Sequence, residues 1–162
     1  MNALELNRLI PAPVRQVWSA WTTPAGLARW WRHTWRGVGY DVDARPGGAY
    51  RIEAAEHGIG VRGTFRVVEP PHRLVFSWIW YDLVDGRPVE QPADEVEVRF
   101  VVEDDRTRVL LRHTGPWTGP EAADDYQQGW TFVLDALTAQ VAVAGRDQRL
   151  SAEVRRASRG DH

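Results

Sequence analysis

One stripe of large apolar side chains constrains this chain more than any other feature. Tyr126, Trp130, Val133, Leu134, Leu137 and Val141 recur at three- and four-residue intervals, the spacing of one helical face. Glu121, Asp124, Asp125, Gln128 and Asp135 fall on the opposite side. Pro120 suits the first helical position, the acids favour the positive end, and Gly145 suits a C-cap. The pattern predicts a helix from Glu121 to Ala144, about 36 Å long at about 1.5 Å per residue, with Gly129 as its one internal breaker. Each large side chain of the stripe, once buried, contributes about 1.5–3 kcal/mol before entropy is counted. Such a helix needs a broad apolar surface to lie on.

The middle of the chain is able to supply it. From Gly37 to Thr114 the apolar period changes to two. Val38, Tyr40, Val42 and Ala44 alternate before the turn Pro46-Gly47-Gly48, and Tyr50, Ile52 and Ala54 follow it. Gly63, Phe65 and Val67 mark a further strand, closed by Pro70-Pro71-His72. Leu74, Phe76, Trp78 and Trp80 line one face of the most aromatic strand, and a polar loop runs from Asp85 to about Asp94. Val96, Val98, Phe100 and Val102 alternate with charged neighbours, and Thr107, Val109, Leu111 and His113 answer them across Asp104-Asp105-Arg106. With Leu4 to Ile10 as a first strand, this predicts an antiparallel sheet of six to seven strands with one wet face. Val14, Val17, Trp18 and Trp21 form a short helix ending near Thr22. Thr23 then caps a second helix begun by Pro24, which buries Leu27, Trp30 and Trp31.

The order of elements, and the residues carrying it, resemble a known family. Ile10-Pro11-Ala12-Pro13 leading to Val17-Trp18, then Trp30-Trp31, resembles the opening of START-like (SRPBCC, helix-grip) proteins. Pro46-Gly47-Gly48-Ala49-Tyr50, Gly63, Glu69-Pro70-Pro71-His72-Arg73-Leu74, Phe76-Ser77-Trp78 and Gly129-Trp130 are similar to motifs of the branch named after activators of the Hsp-ninety ATPase. The resemblance covers about Leu4 to Ala144. It implies an α+β fold: a curved sheet wrapped round the long C-terminal helix, two short helices after the first strand, and a cavity between sheet and helix. Residues 1–145 then form one domain and 146–162 an Arg-rich tail, either flexible or an extension of the helix. Members bind apolar small molecules in that cavity, and some are polyketide aromatases or cyclases. The namesakes stimulate a chaperone ATPase, usually with a second domain.

Three readings follow. The first is a binder of an apolar or aromatic small molecule. Its expected wall is Trp30, Trp31, Tyr50, Phe65, Phe76, Trp78, Trp80, Leu111, His113, Tyr126, Trp130 and Leu134, unless these side chains simply fill the core. The second is an aromatase or cyclase in the same cavity, with Tyr50, Asp82 or His113 as proton-transfer groups. The third is a protein-interaction module with a chaperone partner. Phe132 projects from the acidic side of the long helix, either as a lone exposed ring or covered by the short helices or a second copy in a homodimer.

Composition trims these choices. A formal net charge of −2 makes no electrostatic case for nucleic acid or an anionic membrane. The absence of cysteine excludes disulfides and thiol catalysis. His33, His57, His72 and His113 lack metal-ligand spacing, and no Gly-rich phosphate loop opens a helix, so neither metal nor cofactor is expected. Glu5 and Arg8 interrupt the first ten residues and no apolar run reaches membrane-spanning length, so a cytoplasmic location is expected.

Overall fold

The computed structural model describes residues 2–32, 35–117 and 120–160, with side chains for all of these but 120 and 142–160. Strand β1 (Asn2–Ile10) runs into Pro11 and Pro13, and helix α1 (Val14–Thr22) follows, burying Val17 and Trp21. Thr23 does cap α2 (Pro24–Ala28): its hydroxyl accepts from the Gly26 amide at 2.9 Å. Trp30 and Trp31 lie beyond the end of α2, and the Trp30 indole donates to the Ala20 carbonyl at 2.8 Å, tying this bend back to α1.

The sheet is antiparallel throughout. It comprises β1, β2 (Val38–Val42), β3 (Ala49–Ala54), β4 (Ile59–Glu69), β5 (Arg73–Val84), β6 (Arg87–Glu90), β7 (Asp94–Glu103) and β8 (Arg106–Gly115). Seven strands follow the path β1-β8-β7-β5-β4-β3-β2, and β6 is an eighth, short strand paired only with β5. Residues 87–90 fall within the stretch that the sequence predicts as a polar loop. They form a strand because Asp85 and Gly86 both adopt positive φ, 52° and 75°, the turn geometry that closes a two-residue hairpin. Between Phe65 and Val67 the β4–β5 register shifts by one residue, and such a bulge adds bend and twist. The buried positions of β7 (Asp94, Val96, Val98, Phe100) and β8 (Thr107, Val109, Leu111, His113) alternate along one face.

Helix α3 (Pro120–Gly160) crosses that face. Trp130, Val133, Leu134, Leu137 and Val141 are all buried, as the stripe requires. The helical backbone continues past Gly145 to Gly160 rather than ending at Ala144. A mid-helix glycine costs only about 1 kcal/mol, and the Arg-, Gln-, Glu- and Ala-rich segment after it consists mostly of good helix formers. The side chains of Leu150, Val154 and the tail arginines lie outside the described residues, as do Gly119 and His33. Among the described residues, no helix is long and apolar enough to cross a membrane.

Candidate functional site

The aromatic residues gather into a lattice where α1, the bend after α2, β5 and α3 meet. Trp130 stacks on Trp21 with centroids 6.2 Å apart and meets Trp31 edge-on at 5.2 Å and Trp78 at 5.1 Å. Trp78 also meets Trp31 at 5.7 Å. Deeper in the core, Tyr50, Phe65 and Phe76 form a second triad with centroids 5.3–5.8 Å apart. That region is nearly filled, with only about 30 Å³ of void among Trp21, Leu27, Tyr50, Phe65, Phe76 and their neighbours.

The first lattice is not filled. Between β5 and the first turns of α3 lies a cavity of about 340 Å³, walled by Trp31, Trp78, Trp80, Tyr126, Trp130 and Val133. Arg32, Gln91, Ala122, Asp125 and Gly129 complete it. Gln91 and Asp125 are exposed and form the rim. Gly129 explains part of the opening: a Cβ placed there would meet nothing within 4 Å.

Behind the wall sits a buried polar relay. His113 is fully buried, and its Nδ1 accepts from the Trp130 indole Nε1 at 3.0 Å. An indole N–H can only donate, so Nδ1 carries no proton and the ring is the Nε2–H tautomer. Nε2 then donates to Asp94 Oδ2 at 2.8 Å. The Tyr126 phenol lies near the same carboxylate: burial first, then the Asp94 charge, push it well above its ordinary pKa. The ring of Tyr126 lies 4.4 Å from the His113 ring. Tyr126 thus presents a neutral phenol on the cavity wall, beside a buried carboxylate and imidazole.

Of the residues expected at a ligand site, Trp31, Trp78, Trp80, Tyr126 and Trp130 come together round the cavity. Tyr50, Phe65 and Phe76 sit at the small inner void, and Leu111, Leu134 and His113 are packed in the core. Trp30 faces a separate groove between α1, α2 and α3. Tyr50 cannot transfer protons in the cavity, because its hydroxyl is buried and donates to the Ser77 carbonyl at 2.7 Å. Asp82 does not meet His113 either. It is exposed and pairs with Ile59 and Val89, where β5 has run past the covered part of the sheet. His113 lies buried within β8, which continues to Gly115. The residue missed by sequence reading is Asp94. Its signal was present: it stands one step before Val96 in the same alternation. Phe132 is 53% exposed, with the Arg32 guanidinium 5.3 Å over its ring. Among the described residues, no group of three His, Asp or Glu side chains is placed to hold a metal ion.

The tyrosines make a pH prediction. Burial raises Tyr50 well above the ordinary value of 10.0, and burial with a hydrogen bond to Glu53 raises Tyr81 to about 12. Tyr126 shifts the same way. A raised folded pKa adds stability that is complete below the unfolded pKa and is lost as pH climbs through the folded one. Stability should therefore decline above about pH 10. In an alkaline titration followed by phenolate absorbance and circular dichroism, these tyrosines should ionise late and together with unfolding. Ionisation of all the tyrosines near pH 10 with the fold intact would contradict this.

Comparison with known proteins follows the same lines. Residues 11–142 match the family model described as Activator of Hsp90 ATPase homolog 1-like protein. CalU16 from Micromonospora echinospora is 29% identical with a TM-score of 0.65, over 93% of this chain and 82% of that one. Mll3558 from Rhizobium loti is 26% identical with a TM-score of 0.69, over 86% of this chain and 96% of that one. DynU16, a protein of the dynemicin biosynthetic locus, shares the fold at 19% identity and a TM-score of 0.74, over 89% of this chain. This chain spans about half of DynU16, 48%. No curated protein matches.

Proposed function

We propose, for a chain that belongs to the Activator of Hsp90 ATPase homolog 1-like family, that it binds a small apolar or aromatic molecule between β5 and α3. The helix-grip fold and its structural neighbours support a ligand-binding or cyclase-type role. One observation carries the finer reading: the cavity of about 340 Å³ is walled by indoles and held open at Gly129. Its size falls at the small end of ligand pockets, about 300–1,000 Å³, which are mostly apolar with a few polar groups. A glycine in mid-helix costs about 1 kcal/mol relative to alanine. Here it leaves space that four tryptophans line and do not occupy.

Gly129→Leu tests the reading directly. The new side chain enters the open space and improves helix propensity, so the fold should be unharmed or slightly more stable. Affinity for apolar aromatic compounds, measured by calorimetry or tryptophan fluorescence, should fall about thirtyfold or more, the equivalent of about 2 kcal/mol. Unchanged affinity in a well-folded variant would place the ligand elsewhere. A cyclase-type reaction is the second reading, favoured by the Tyr126 phenol on the wall with Asp94 and His113 behind it. Turnover of a polyketide-like compound in the same panel, rather than simple binding, would decide for it. The interaction reading has less to stand on, since Phe132 offers one exposed ring.

A further inference from the structure

We infer that the ligand is an aromatic acid, its carboxylate or comparable planar anion held by the Arg32 guanidinium on the cavity wall. This rests on the cavity being the ligand site proposed above. Arg32 has a backbone φ of 51°, in the left-handed region that residues with a Cβ seldom occupy. That conformation costs of order 1–3 kcal/mol and persists only where the surroundings hold it. It brings the guanidinium over two rings, 4.8 Å from the Trp35 centroid and 5.3 Å from the Phe132 centroid. A cation over ring faces makes no conventional hydrogen bond to them, so its N–H donors are left for another partner.

No such partner exists among the described residues. Other arginines that are partly covered find carboxylates: Arg8 meets Asp135, Arg62 meets Glu90, Arg73 meets Glu97, and Arg108 meets Glu103, whereas Arg15, Arg29, Arg36, Arg87 and Arg106, which form no ion pair among the described residues, are exposed. Arg32 forms no ion pair among the described residues, although it is only partly exposed. Its burial is deep enough to lower the guanidinium pKa. The other charged side chain of the cavity, Asp125, is exposed at its rim.

Charge therefore decides what the cavity prefers. A neutral aromatic ligand that covers Arg32 strips water from its donors and returns nothing. A ligand with the same rings and a carboxylate restores those hydrogen bonds in a partly desolvated setting, where charge-assisted pairs are strong. The planar fork of arginine matches a carboxylate in two-point fashion, which lysine cannot copy.

The experiment compares naphthoic acid with its methyl ester by calorimetry, using the full chain, Arg32→Gln and Arg32→Lys. The wild-type protein should bind the acid roughly ten- to hundredfold more tightly than the ester. Arg32→Gln should lose that preference while keeping the ester affinity, and Arg32→Lys should fall between. Added salt should weaken acid binding and leave the ester unaffected. This salt arm stands on the wild type alone, so it decides even if a variant folds poorly. Equal affinity for acid and ester, or acid binding unchanged in Arg32→Gln, overturns the inference and leaves the cavity reading intact. Binding of neither compound overturns both.

Discussion

Replacing Trp130 with alanine should destabilise the domain by about 3–5 kcal/mol, the range for a buried aromatic truncated in a core. Trp130 is 3% exposed and touches Trp21, Trp31 and Trp78. Its indole is also the donor to His113 Nδ1. Two losses therefore add: ring packing at the centre of the lattice, and a hydrogen bond whose acceptor stays buried. Trp130→Phe separates them. It keeps an aromatic ring in the lattice while removing the donor and part of the ring volume, so it should cost less than alanine, about 1–2 kcal/mol. Urea unfolding of both variants checks this. If alanine costs less than about 1 kcal/mol, an amount ordinary for surface changes, the long helix does not organise this fold.

Asp94→Ala should come next, at up to about 3 kcal/mol. The carboxylate is 7% exposed and accepts from His113 Nε2 at 2.8 Å. Removing it leaves the fully buried His113 Nε2–H without an acceptor, a loss of about 1–3 kcal/mol. The void left by the side chain is small by comparison. Asp94→Asn keeps one acceptor oxygen for His113 and should cost about 1 kcal/mol, because the charge is lost and the other oxygen becomes an NH2 donor. Denaturant midpoints of the two variants should therefore differ clearly. Equal midpoints would mean that the relay contributes nothing to stability and that its polar groups find other partners.

The same residues show how far sequence reading goes. The stripe on α3 was legible because a helix repeats its environment every three to four residues, so its apolar face is written within one short segment of the chain. The alternation of β7 and β8 was legible for the same reason. Thr23 and Pro24 announced α2 through capping chemistry that depends only on adjacent atoms. Asp85-Gly86 announces the β5–β6 hairpin just as locally, but its four-residue partner strand buries no side chain and so carries no apolar alternation to mark it.

The site was legible in kind and not in detail. Aromatic residues were expected to meet between sheet and helix, and they do. Their separation into a filled inner triad and an open outer wall depends on volumes summed over α1, β5 and α3. No single segment carries that information.

What the sequence by itself determined is therefore the set of elements and which face of each is apolar. Those properties come from periodicity and from the stereochemistry of neighbouring residues. The tertiary structure alone decided three further things. Asp94 meets His113, 19 residues away, because the β7–β8 register pairs Val96 with His113 and so places Asp94 diagonally next to it on the same face. Arg32 reaches the cavity through a left-handed backbone conformation that its side chain does not announce. Gly129 leaves a void rather than closing it, because a helix position is empty only relative to what packs opposite. Each is a relation between surfaces distant in the chain, and its energy exists only once both surfaces have been brought together.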